Sequence, residues 1–256
     1  MLNYLKSEFY RIVRLKSVYF SFVFLGSMSV LLNGALFYFR NEEGFRYSTT
    51  KFSFSTVYTN MPILIYIVCM ICSVVIDDEY KNRTMKNSVA AGVKRNTIYF
   101  GRFIIELVIG MIFYLLLNGF HILLGLTLLE NSGSEYLQIL LRSLIASIPI
   151  YIAFMAIFHC LYYILDNIMN VVFLFVIIAT IIPKVIGFAA MKIRFFSKIN
   201  EWLLTSMLEA KWDEAYNLTL TWDTTNGFIR CYIAGIIGII AFSIIGSILF
   251  NKKELK

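Results

Sequence analysis

Few residues of this 256-residue chain have the types and spacing that chemistry requires. Cys69 and Cys72 form a C-x-x-C, the spacing of a redox pair, but in an apolar run with no charge to stabilise a thiolate. Cys160 and Cys231 also lie in apolar runs, so all four read as small buried hydrophobes. His121 and His159 are the only histidines, and two alone cannot close a metal site; no carboxylates stand near them in sequence. Arg102 and Glu106 are one helical turn apart, where an i,i+4 ion pair can form, either as a local structural pair or as a link from a charged loop into the membrane. That loop, DDEYKNRTMKNSVAAGVKRNTIYFGR from Asp77 to Arg102, is the densest charged stretch of the chain. No G-x-x-x-x-G-K-[ST] occurs, so the chain has no phosphate-cradling loop of its own.

The elements that must position these residues follow from composition. Hydrophobic residues make up 59% of the chain and charged ones 15%, with mean hydropathy +0.73. That excludes a disordered polypeptide and disfavours a soluble α/β enzyme, because one core of this size cannot hide so much apolar surface. Six apolar stretches reach bilayer length: Val18–Phe39, Val57–Ile76, Phe103–Leu128, Ile139–Leu165, Val171–Gly187 and Phe228–Phe250. Helices are expected, since a lipid-exposed backbone must satisfy its polar groups within its own segment. The first stretch is too long for the apolar part of a cleavable signal peptide and lacks a small-x-small exit.

Basic residues set the orientation. With the N-terminus inside, thirteen Lys and Arg fall on the cytoplasmic side and seven outside, which predicts that both termini are cytoplasmic. The net charge of +7 therefore reads as membrane orientation, and no loop is large enough to build a nucleic-acid surface. Arg142 and Arg230 stand at span ends and can snorkel, while Pro183–Lys184 predicts that the fifth span bends or ends there. Small residues on the sixth span (Ala234, Gly235, Gly238, Ala241, Gly246) permit close helix approach.

Three segments outside the spans carry information. In residues 1–17, Leu2, Leu5, Phe9, Ile12 and Val13 make one helical stripe among Lys6, Arg11, Arg14 and Lys16, as in an interfacial helix or a basic flank that only sets topology. In the Asp77–Arg102 loop, acids precede bases, which suits a short helix with Gly92 as its C-cap. The loop is either a surface for docking a partner or a solvated connector. Between the last two spans lie all three tryptophans, Trp202, Trp212 and Trp222. There Phe195, Phe196, Ile199, Trp202, Leu203 and Met207 fall on one helical face, predicting one or two short helices at the outer leaflet. They would form an external gate or merely cap the bundle.

Six spans, the N-terminal helix and the charged loop resemble the membrane subunits of ABC-2-type exporters. The resemblance is sharpest at Glu79-Tyr80-Lys81-Asn82-Arg83-Thr84-Met85-Lys86-Asn87, followed by Gly92-Val93-Lys94-Arg95-Asn96-Thr97-Ile98-Tyr99. This is similar to the family's "E…G-T-x-x-x…S-R-x-x-I" coupling segment, although Arg83 stands where Gly is common and Lys94 where Ser is common. The resemblance implies an all-α polytopic membrane protein, a single transmembrane domain over 1–256. It would have six transmembrane helices, an N-terminal interfacial helix, a cytoplasmic coupling helix between spans two and three, and short outer helices between spans five and six.

It further implies a non-catalytic permease in a bacterial cell membrane, paired with a second permease copy, same or different, above two ABC ATPase subunits. The chain itself would hold no cofactor; ATP and Mg would bind the partner ATPase. Glu79, Lys81, Arg83, Thr84, Lys86, Lys94 and Arg95 would carry ATPase coupling, and Phe195, Ile199, Trp202 and Trp212 an outer gate or interface. Small permeases such as phenol-soluble modulin exporters and lantibiotic-immunity permeases suggest an amphipathic or cytolytic peptide as substrate. Two alternatives stand beside this: an immunity membrane protein that binds a toxin without transport, and an intramembrane protease. The second rests on Glu42-Glu43-Gly44-Phe45-Arg46, which is similar to a paired-glutamate protease motif but has two residues rather than three before the Arg and no positioned base, nucleophile or metal.

Overall fold

In the computed structural model the apolar stretches are helices, as backbones facing lipid require. The structure describes residues 2–82, 89, 90, 92–165, 167–212, 215 and 217–253, with the backbone alone for 2, 3 and 76–82. The helices are α1 (Leu2–Val13), α2 (Lys16–Tyr38), α3 (Thr50–Thr59), α4 (Ile63–Asn82), α5 (Arg95–Leu128), α6 (Glu135–Ile164), α7 (Ile168–Val176), α8 (Ile182–Ala190), α9 (Arg194–Asn200), α10 (Leu204–Leu208) and α11 (Thr225–Lys252). A two-residue antiparallel ladder joins Lys211–Trp212 to Leu218–Thr219. The protein is thus an all-α polytopic membrane protein. Five of the described helices or helix runs are long and apolar enough to cross a bilayer.

The sixth expected span, Val57–Ile76, is not one helix. It is an elbow of α3 and α4, bent by 71°. Pro62 is the physical reason: its ring disfavours helical backbone at the preceding residue, and it has no N–H to continue the ladder. The α3 arm is anchored at its start. Thr49 caps it through the Phe52 N–H, and Thr50 N–H donates to the Glu130 carbonyl at 2.9 Å, in the turn between α5 and α6.

Helix α6 is the central post. From Ala146 to Tyr163 every residue except Ile148 and Ile152 is buried, as expected for a helix that is apolar all round. Helix α11 packs along it, and the glycines make that approach possible. A Cβ on Gly235 would stand 2.6 Å from the backbone carbon of Pro149, and Gly246 faces Tyr99 and Cys160. The small residues of the last span therefore serve packing within the chain.

Both prolines inside apolar helices have a carbonyl partner supplied from elsewhere. Pro149 removes the N–H that would bond the Ile145 carbonyl, and the Tyr232 hydroxyl of α11 donates to it at 3.2 Å. Pro183 likewise has no N–H for the Ala179 carbonyl, which accepts from the Thr205 hydroxyl of α10 at 2.5 Å. A π-helical turn, Ile177–Ile181, precedes Pro183 and joins α7 to α8. The bend predicted at Pro183–Lys184 takes this form, inside a run that continues to Ala190.

Candidate functional site

The end of the bundle that carries residues 82–95 is built around helix ends. Of the predicted coupling residues, Arg83, Thr84 and Lys86 lie outside the described residues. Glu79 and Lys81 fall in the last turns of α4, where only the backbone is described. Gly92 sits at φ +84°, the left-handed conformation that glycine tolerates at a helix C-terminus, and its N–H donates to the Val89 carbonyl; residues 85–88 and 91 of the helix it was expected to cap are outside the described residues. Lys94 is exposed, just before α5.

Arg95 is engaged within the chain. Its Nη1 donates to the carbonyls of Phe250, Asn251 and Lys253 at 3.1, 3.0 and 2.6 Å. Lys253 in turn donates from Nζ to the carbonyls of Tyr163, Ile164 and Leu165 at 3.1–3.3 Å. The two cations cap the C-terminal ends of α11 and α6, whose last carbonyls lack intrahelical partners and carry the negative end of the dipole. One clasp therefore joins the start of α5 to the ends of both core helices.

Arg102 and Glu106 do not form the intrahelical pair expected from their spacing; each turns to another helix. Arg102 donates to Glu8 at 2.9 Å and to the Tyr4 hydroxyl at 3.1 Å, both on α1, and Arg11 also reaches Glu8. Glu106 accepts at both oxygens from the direction of His159 Nδ1, at 3.0 and 2.9 Å, while His159 Nε2 faces the Tyr99 carbonyl at 3.1 Å. The reason is facing geometry: both positions point into the bundle, where a cross-helix partner excludes water better than a neighbour on the same surface. The docked face of α1 is therefore Tyr4, Leu5, Glu8 and Ile12, with Phe9 and Val13 exposed, a rotation from the expected stripe.

A second polar cluster ties α2, α3 and α5. Ser53 Oγ donates to Asn33 Oδ1 at 2.7 Å; Asn33 Nδ2 donates to the Ser29 carbonyl and reaches His121 Nδ1; His121 Nε2 meets Ser53 Oγ at 3.2 Å. Ser53 spends its only proton on Asn33, so it accepts from His121, whose Nδ1 accepts from Asn33. The ring closes with His121 neutral. Both histidines are thus satisfied core residues, as their isolation in sequence predicted, and among the described residues no group of three metal-binding side chains gathers around either.

Beside this ring lies a cleft of about 1000 Å³. One wall is α2, with Phe24 and Met28; another is the α3–α4 elbow, with Asn60, Met61, Tyr66 and Met70. Helix α5 contributes Asn118 and His121, and the far side is Thr180, Lys184, Thr205 and Glu209.

The sequence matches the family described as ABC-2 family transporter protein over residues 4–182. The chain belongs to the ABC-2 transporter family. No curated protein and no solved structure matches it. Membership makes the chain a membrane transport component, and implies an ABC ATPase as its partner.

In this ABC-2 permease the residues expected at an outer gate do not share one helical face. The face predicted over Phe195–Met207 is broken between α9 and α10, and Met207 turns into the core. Phe195, Trp202 and Trp212 are exposed and Ile199 is half-buried; among the described residues no ring contact joins the two tryptophans. Trp202 lies under the Arg230 guanidinium, which pairs with Glu201 at 3.2 Å. Trp212 is on the two-residue ladder, not on a helix. Trp222 is fully buried, its indole N–H donating to Ser143 at 2.8 Å, so it is a core residue.

Sequence reasoning missed Glu8, Asn33, Ser53, Lys253 and the cleft-facing role of Lys184. Glu8 had a usable signal, an acid on the apolar stripe of α1, one turn from Tyr4 and Ile12. The partnerships of Asn33, Ser53 and Lys253 join residues 20 to 90 positions apart and leave no local pattern.

Proposed function

We propose that this permease is the transmembrane subunit of an ATP-driven exporter of amphipathic peptides. Its hydrolysis is supplied by a pair of separate ABC ATPase subunits holding ATP and Mg, and a second permease copy completes the pathway. Both termini then face the cytoplasm, and Glu79, Lys81, Arg83, Thr84, Lys86 and Lys94 meet the ATPase. The observation that carries this reading is the cleft: a large concavity with apolar and methionine walls beside a few polar groups, in a family member with no nucleotide loop. Such walls suit an apolar helix face, while the polar side accommodates the peptide's other face. The Arg95–Lys253 clasp supports the coupling half of the reading, because it ties the chain leaving the 82–94 segment to the two core helices.

The test is ATP-dependent uptake of a fluorescent amphipathic helical peptide into inverted vesicles bearing the permease and its ATPase. Accumulation that needs ATP supports the reading. Binding of peptide without ATP-dependent accumulation would favour a toxin-binding immunity role.

A further inference from the structure

The cleft contains two charged side chains that the fold does not use. Among the described residues Lys184 and Glu209 are the only Lys, Arg, Asp or Glu lining it, and its histidine, His121, is held neutral by the Asn33–Ser53 ring. Neither Lys184 nor Glu209 makes a hydrogen bond or ion pair with any described residue, and they do not pair with each other. Among the described residues, the charges buried in the bundle, Glu8, Arg102 and Glu106, all have protein partners, as do the half-buried Arg95 and Lys253. A lysine in an apolar run is costly unless something answers its charge. Lys184 stands six residues before the end of its helix, about 9 Å along the axis at 1.5 Å per residue.

Its placement is specified by the surrounding structure. The π-helical turn and Pro183 set the rotation of α8 so that Thr180 and Lys184, one turn apart, face the same cleft. The Thr205 hydroxyl, itself a cleft residue, holds that turn through the Ala179 carbonyl. Glu209 follows directly after α10, on the same side.

We propose that Lys184 and Glu209 read opposite charges on an amphipathic peptide seated in this cleft, Lys184 taking an acidic group and Glu209 a basic one. The proposal rests on the exporter reading above and adds its charge specificity. A peptide is favoured as occupant by three features. The apolar wall is methionine-rich, with Met28, Met61 and Met70, a surface that adapts to differing side chains. The two charges of opposite sign match a chain carrying both signs. The side-chain amides of Asn60 and Asn118 donate back to their own helices, at Thr56 and Tyr114, leaving their carbonyl oxygens as acceptors for side-chain donors of the peptide.

The test uses three fluorescent helical peptides identical except for Glu, Gln or Lys at one site on the boundary of the apolar face. ATP-dependent uptake and direct binding are measured for the wild-type permease–ATPase complex and for Lys184→Glu, Lys184→Arg and Glu209→Gln. Wild type should prefer the Glu peptide over the Lys peptide by about tenfold, the scale of one charge-assisted bond. Lys184→Glu should reverse that order and Lys184→Arg should keep it, while Glu209→Gln should keep the order and weaken all three several-fold, each peptide carrying one fixed Lys on the opposite boundary. Lys184 is exposed, and recovery of the variant complex on size-exclusion chromatography checks assembly.

Export of all three peptides with equal efficiency, unchanged in Lys184→Glu, would overturn the charge-reading inference and leave the exporter function standing. A wild-type complex that takes up none of the peptides would overturn the exporter reading itself. Displacement of bound peptide by phosphatidylethanolamine or phosphatidylglycerol vesicles, but not by excess unlabelled peptide, would identify a lipid occupant and also overturn the inference.

Discussion

His159 and Glu106 hold one proton between them. The Tyr99 carbonyl can only accept, so His159 Nε2 carries its hydrogen, and Nδ1 lies 2.9–3.0 Å from both oxygens of Glu106. Either the imidazole is charged against a carboxylate or a neutral acid donates to a neutral ring; the pair has no net charge in both cases. This is how a bundle core tolerates two titratable groups with only 1% and 2% of their side chains exposed.

Breaking that pair should be severe. Glu106→Ala leaves the imidazole buried without its partner and should cost about 3–5 kcal/mol, seen as a large fall in the melting temperature of the detergent-solubilised protein. The double substitution Glu106→Leu with His159→Leu should recover most of that loss, because a packed apolar pair replaces an ion pair at little cost. A double variant as unstable as the single one would contradict the shared-proton account.

The glycines of α11 should differ sharply in tolerance. Gly235→Ala places a Cβ 2.6 Å from the Pro149 backbone and should destabilise by about 1–3 kcal/mol through forced separation of α6 and α11. Gly238→Ala meets the Ala153 methyl at 3.1 Å, a contact that a helix shift of a few tenths of an ångström relieves, and should cost less. Parallel thermal melts in one detergent compare the two directly.

Tyr232→Phe tests the repair of the Pro149 break. Loss of the hydroxyl that donates to the Ile145 carbonyl should cost about 1 kcal/mol and raise hydrogen exchange in the α6 turn around residue 149. Thr205→Val should act the same way on the π-helical turn by removing the donor to Ala179.

Arg95→Ala should uncouple more than it unfolds. The carbonyls it leaves, at Phe250, Asn251 and Lys253, lie at the end of the bundle where water can reach them, so hydrogen exchange should rise over residues 247–253 while the melting temperature changes little. ATP hydrolysis by the assembled complex should persist, with transport per ATP reduced several-fold. Transport and hydrolysis falling in equal proportion would assign Arg95 to ATPase docking instead.

Helix class, bilayer-length runs and the presence of an N-terminal helix were legible because hydrophobic length and periodicity are local quantities. The elbow at Asn60–Pro62 was also marked locally, by Pro62, yet it was hidden by the length of the apolar run around it. Polar partnerships were not legible. Arg102 and Glu106 offer each other an i,i+4 pair, and only the packing of α1 and α6 shows that Glu8 and His159 take them. Trp222 illustrates the same limit: its spacing from Trp202 and Trp212 suggests a common interfacial role, while its indole is sealed in the core against Ser143. Lys184 reads locally as a bend marker beside Pro183; its place on the cleft wall depends on helices distant in sequence.

The central claim, a permease driven by a separate ATPase, is tested most directly by ATP-dependent peptide uptake in inverted vesicles, measured with wild type and with Lys81, Arg83 and Lys86 all reversed to Glu. The account predicts ATP-dependent uptake by wild type, and loss of uptake with intact peptide binding in the triple variant. No ATP-dependent uptake by wild type, or unchanged uptake in the variant, would contradict it.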